Sequence, residues 1–158
     1  MRRILSFLYG IINYVVFLGV FLYAIAFVGD FAVPKTIDSG GPTGAFWPSL
    51  LINTGLLGLF AVQHSGMARR GFKRWWTKIV PEPIERSTYV LFSNLVLILL
   101  FWQWRPLTDV VWHVDATWAQ WALWGLFGLG WGLVLVATFM ISHAHLFGLK
   151  QVHEHVRG

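Results

Sequence analysis

Gln63 and His64 close one apolar run in FAVQHSGMARRGFKRWW (60–76), and His143 and His145 close another in SHAHLFGLKQ (142–151). Imidazole is the side chain whose ordinary pKa lets it take or give a proton near neutrality. Two such segments ending at similar depth would supply a general base, or a holder for an anion, at one mouth of a helix bundle. Polar and ionisable groups at membrane depth usually face a bundle interior or a cavity, so Gln63, His64, His143 and His145 are the candidate catalytic residues. The competing reading is that these histidines only mark where apolar segments happen to end.

Other chemistries find less support. Helical metal pairs stand at i, i+3 or i, i+4, whereas His143/His145 and His153/His155 are each two residues apart. That spacing turns two rings about 200° away from each other on a helix, so no metal site is assigned. Histidines on separate segments could still sandwich a haem, which remains a minor alternative. The chain has no cysteine, which excludes disulfides, thiolate metal sites and cysteine nucleophiles together. There is no G-x-S-x-G, no Ser-His-Asp order, no Walker loop and no dinucleotide-binding glycine motif.

The basic stretch behind His64 has a plainer explanation. Arg69, Arg70, Lys73 and Arg74 with Trp75 and Trp76 are what an interfacial anchor needs, cations snorkelling to water and tryptophans at head-group level. The segment PEPIERSTY (81–89) reads as a short connector launching the next span. In it Glu85 is expected to be an exposed carboxylate that caps the helix and pairs with a nearby cation.

The elements that must position these groups follow from composition. Apolar residues make up 56%, aromatics 17% and charged residues 12% of the chain, where a globular protein carries about a quarter charged residues. Ten tryptophans and sixteen glycines add to a membrane signature. A spanning helix needs about 20 largely apolar residues, and four stretches qualify: 4–28, 48–65, 87–104 and 118–142. The expected fold is all-α, a single membrane domain over 1–158 with four transmembrane helices. The first apolar run outlasts a signal-peptide core, so it is read as a retained span.

Lys and Arg set the orientation. Ten of them (Arg2, Arg3, Arg69, Arg70, Lys73, Arg74, Lys78, Arg86, Lys150, Arg157) fall on one side of the alternating spans, against Lys35 and Arg105 on the other. That bias predicts both termini in the cytoplasm. It also accounts for the net charge of +5 without a nucleic-acid partner. Gly125, Gly128 and Gly132 share a helix face that would let a neighbouring backbone come close. Asn13 is expected to hydrogen-bond across to another helix.

Three blocks carry a family resemblance: QHSGMARRGFK (63–73), ERSTYVLFSNLVLILLFWQWRP (85–106) and FMISHAHLFGLKQV (139–152). In this order, over essentially the whole chain, they resemble methanethiol S-methyltransferase, within the NnrU-like and isoprenylcysteine carboxyl methyltransferase-like membrane enzymes. The resemblance implies a multi-pass protein of the bacterial inner membrane. It would move a methyl group from S-adenosylmethionine to methanethiol, giving dimethyl sulfide, with the lipid bilayer and a small thiol as its partners. Members of that group continue with an Arg-His-Pro segment, a further hydrophobic hairpin and a Glu/Arg-rich end that forms most of the cofactor site. The resemblance therefore covers the N-terminal part of the enzyme. It implies a truncated or split arrangement in which a separate chain would supply the rest, and the cofactor-binding residues are unassigned. The alternative is a non-enzymatic NnrU-like four-helix membrane protein linked to nitrogen-oxide metabolism.

Overall fold

The computed structural model describes residues 2–140, with side chains from Ile4 onward. The described chain is all-helical: α1 (Arg2–Val28), α2 (Phe46–Ala68), α3 (Arg70–Trp76), α4 (Glu82–Gln103) and α5 (Thr117–Met140). Four of these, all but α3, are long and apolar enough to cross a membrane.

The inside of the bundle is more polar than its outside. Among the described residues six apolar side chains are buried, Val20, Ala26, Phe27, Val90, Leu100 and Phe101, against nine polar or charged ones. Large apolar groups such as Leu51 (72% exposed), Val62 (73%) and Trp102 (70%) point outward instead. In water this arrangement would expose far more apolar area than a monomer tolerates. In lipid the outward face needs no cover, and the polar groups gain from being turned inward. The four long helices and this inverted distribution describe a multi-pass membrane protein.

Helix α4 packs against both α1 and α2. Val20 and Phe27 of α1 meet Leu100 and Phe101 of α4, with Tyr23, Ala24, Leu56 and Leu97 around them. The Phe27 and Phe101 rings lie 4.9 Å apart and tilted, a favourable offset geometry for aromatic pairs. Helix α5 stands beside α1, joined through rings: Phe21 meets Trp131 edge-on at 5.4 Å. A Cβ placed at Gly125, Gly128 or Gly132 would meet nothing within 4 Å, so the glycine face expected to admit a close neighbour is open in the described structure. Asn13 is buried, but its amide donates to Tyr9 O in its own helix at 2.8 Å. The contact across to α4 is made instead by Tyr9, whose hydroxyl meets Thr88 Oγ1 at 3.1 Å.

The loop after α1 seals the end of the bundle away from His64. Tyr23 donates to Lys35 O (3.0 Å) and Trp104 Nε1 donates to Ile37 O (2.9 Å). Asn53 of α2 grips the backbone of Arg105 twice, donating to its O at 2.7 Å and accepting from its N–H at 2.9 Å. Gly40 turns the loop with φ +73°, and a Cβ there would sit 2.2 Å from Pro34 O, so only glycine fits.

Helix α4 begins at Glu82 rather than near Ser87, which corrects the reading of 81–89 as a connector. Pro81 ends the preceding turn and Pro83 occupies the first turn, where its missing N–H costs nothing. Glu85 consequently lies inside the helix and is 3% exposed. Its Oε2 lies 3.2 Å from Lys73 Nζ of α3. It is a buried ion-pair partner, not an exposed cap, because the extra turn carries it under α3.

Candidate functional site

The last turns of α2 and the third and fourth turns of α4 bring four polar side chains together. His64 leaves α2 between two rings, stacked on Phe60 at 5.2 Å and tilted against Tyr89 at 5.4 Å. The Tyr89 hydroxyl lies 3.0 Å from Nδ1 and 3.2 Å from Nε2 of His64. Ser93 Oγ lies 3.3 Å from the same Nδ1. Tyr89 and Ser93 are one helical turn apart, so α4 presents both hydroxyls on one face toward α2.

The contacts are compatible with a simple assignment of protons. Ser93 has one proton and gives it to Tyr89 O, 3.2 Å away. Its lone pairs then accept from Gln63 Nε2 at 3.4 Å and from the Nδ1–H of His64. In the tautomer that this assignment requires, Nε2 is the basic nitrogen; the Tyr89 hydroxyl lies 3.2 Å from it and 3.3 Å from His64 O. Gln63 Nε2 also meets Met67 Sδ at 3.2 Å. Gln63 Oε1 is buried and has no partner among the described residues. A buried amide oxygen costs free energy unless something donates to it, so the cluster holds an acceptor ready for a ligand or water. The outer side of His64 is exposed, so the imidazole can be approached while it is held from α4.

Of the residues expected to act, Gln63 and His64 are brought together, and both touch Ser93. His143 and His145 lie outside the described residues, as do His153 and His155. Sequence reasoning missed Tyr89 and Ser93. The signal was present: Ser93 and Asn94 interrupt an otherwise apolar stretch of α4, and polar groups inside a span invite the same inference as His64.

Cavities among the described residues include ones of about 340, 310 and 480 Å³. The first lies between α1 and α4 and is lined by Gly19, Val20, Tyr23, Ile98, Phe101 and Trp102. The second is lined by the start of the first loop and by α5. The third is basic and belongs to α3. None of the three is lined by His64, Tyr89 or Ser93. The imidazole edge is exposed and is not enclosed by any of these cavities.

Over its whole length the chain is similar to curated proteins. It is 54% identical to methanethiol S-methyltransferase of Mycobacterium tuberculosis, the match covering 100% of this chain and 64% of that protein. It is 53% identical to methanethiol S-methyltransferase 1 of Bradyrhizobium diazoefficiens, over 99% of this chain and 54% of the relative. A more distant match, 35% identical, is nurim of Mus musculus, over 77% of this chain and 52% of that protein. The chain thus spans somewhat more than half the length of the curated relatives it matches. No protein-family model matches the chain, and no solved structure matches it.

Proposed function

We infer that this chain is part of the methanethiol S-methyltransferase family and that it contributes the thiol-handling side of such an enzyme. The observation that carries this is identity of 49–54% to bacterial methanethiol S-methyltransferases over nearly the whole chain. It favours the enzyme over the non-enzymatic membrane protein. The relatives are longer than the chain, so the activity is proposed for a protein that includes the part the match leaves uncovered, on one polypeptide with this chain or on a separate one. The setting proposed is the bacterial inner membrane, with the positively charged segments in the cytoplasm.

Methylation of a thiol forms a bond from the acceptor sulfur to carbon and releases the thiol proton. When bound, S-adenosylmethionine supplies a methyl group on a sulfonium, a good leaving group. None of the cavities described above is lined by the His64 cluster, so its site is not assigned to these residues. What this chain supplies is the acceptor's side. Nε2 of His64 takes the thiol proton, and Ser93 holds the ring in the tautomer that leaves Nε2 free. The Tyr89 hydroxyl then donates to the thiolate or to the ring edge. The apolar flank made by Phe60 keeps water away from the anion, and a small volatile thiol reaches it from lipid. His143 and His145 are proposed as further groups at the same mouth.

The test joins this chain to the uncovered part of the Mycobacterium tuberculosis relative and measures dimethyl sulfide made by membranes from methanethiol and S-adenosylmethionine. The joined protein should make it, and His64→Ala should lower the rate by about 100-fold or more. No product from the joined protein would remove methanethiol as acceptor. Full activity in His64→Ala would move the site away from this cluster.

A further inference from the structure

Helix α3 presents two unlike faces. Arg70, Lys73, Arg74 and the following Thr77 recur at i, i+3, i+4 and i+7, the spacing of one helix stripe. Phe72, Trp75 and Trp76 fall on the other side, with the Phe72 and Trp75 rings 5.4 Å apart. Trp76 meets Phe92 of α4 edge-on at 6.1 Å. The aromatic side thus reaches the apolar body at Phe92, and the basic side borders the first turn of α4, where Lys73 meets Glu85.

The basic face is concave. Arg70, Lys73, Arg74 and Thr77, with Glu82 from the start of α4, line a cleft of about 480 Å³. Three cations therefore stand against one carboxylate in the lining. Lys73 is partly neutralised by Glu85, but Arg70 and Arg74 are exposed and have no ionic partner among the described residues. Snorkelling alone would spread these cations to reduce their repulsion. Gathering them around a cleft at the end of a span leaves a deficit that an anion would fill. An amphipathic helix whose aromatic face lies at the acyl boundary holds its polar face at the level of the lipid phosphates. A leaflet carrying anionic lipid attracts such clusters within a Debye length.

We propose that the α3 cleft is a binding site for the phosphate of an anionic phospholipid in the adjoining leaflet, gripped by Arg70 and Arg74 with Thr77 as a hydroxyl donor. The proposal is independent of the methyltransferase reading, because none of these residues belongs to the His64 cluster. Its structural consequence is local: Lys73 borders the cleft and also pairs with Glu85, so an occupied cleft fastens α3 to the first turn of α4.

The experiment uses the purified full chain in a neutral detergent and follows the midpoint of thermal unfolding. Phosphatidylglycerol, phosphatidylcholine and inorganic phosphate are added separately at matched concentrations. Phosphatidylglycerol should raise the midpoint where phosphatidylcholine does not, and added salt should weaken the effect. Arg70→Gln combined with Arg74→Gln should reduce the apparent affinity for phosphatidylglycerol roughly tenfold or more. The charge-matched control, Arg69→Gln with Lys78→Gln, lies outside the cleft lining and should retain most of it. Equal effects of the two lipids, or equal losses in both double variants, would overturn the cleft. An effect of inorganic phosphate as large as that of phosphatidylglycerol would replace the lipid by a free anion and overturn the proposal as well.

Discussion

At the scale of the residue, Ser93 decides more than its size suggests. It is 8% exposed, can donate its proton to the α4 backbone, and is then an acceptor for Gln63 and His64. Ser93→Ala should loosen the tautomer of His64 and lower kcat with KM for the thiol little changed, as expected for a positioning residue. Tyr89→Phe keeps the ring against His64 and removes only the hydroxyl, so a loss of about 10-fold is expected, well short of His64→Ala. Both are read from initial rates of dimethyl sulfide formation in the joined protein. Far from that site, burial and then the neighbouring Asp30 raise the pKa of Asp38 above the ordinary carboxylate value. The unfolded chain therefore gives up this proton at lower pH than the folded one. The contribution of Asp38 to stability is greatest in acid and is lost as pH rises through the window between the ordinary and the raised value. Asp38→Asn should flatten that part of a plot of unfolding midpoint against pH, and an unchanged slope would contradict the shift.

Helices rather than single groups explain why Glu85 is inside. Starting α4 at Glu82 adds a turn beneath α3, and that turn carries Glu85 into the contact where Lys73 meets it. The pair is lopsided, since the side chain of Lys73 is 46% exposed and that of Glu85 is 4% exposed. Removing the lysine leaves a buried carboxylate with no cation, whereas neutralising the glutamate leaves an ammonium that water can still reach. Lys73→Met should therefore cost more than Glu85→Gln, on the order of 2–3 kcal/mol against about 1 or less. Thermal midpoints of the two variants in one detergent check the order. Equal losses would mean that the carboxylate is already hydrated.

For the whole molecule the governing fact is that polar side chains point in and apolar ones out, which assigns lipid as the solvent of the long helices. Orientation then rests on the split of ten basic residues against two. The absence of native cysteine makes this directly measurable. Lys78→Cys should react with a membrane-impermeant maleimide from the cytoplasmic side only, and Val111→Cys, in a residue 95% exposed, from the opposite side only. Labelling of both from one side would break the four-span topology.

Much of this was legible in the chain itself. The length of each apolar run, set by the thickness of hydrocarbon, places four spans close to where α1, α2, α4 and α5 lie. Charge bookkeeping supplies an expected orientation, for the labelling to test, and the blocks around Gln63, Glu85 and Phe139 point to the family that the relatives then name. Three things were decided only by folding. Periodicity does not report which face of α4 meets α2, so Tyr89 and Ser93 became partners of His64 only when the helices packed. The start of α4 depended on two prolines that fit a first turn as well as they fit a connector, and it converted Glu85 from a surface cap into a buried ion-pair partner. The amide of Asn13 turned back to its own backbone, and Tyr9 makes the crossing to α4. Spans are fixed by a property of the solvent, which acts on each stretch of sequence separately, whereas contacts depend on the relative rotation of two helices, which no single stretch contains.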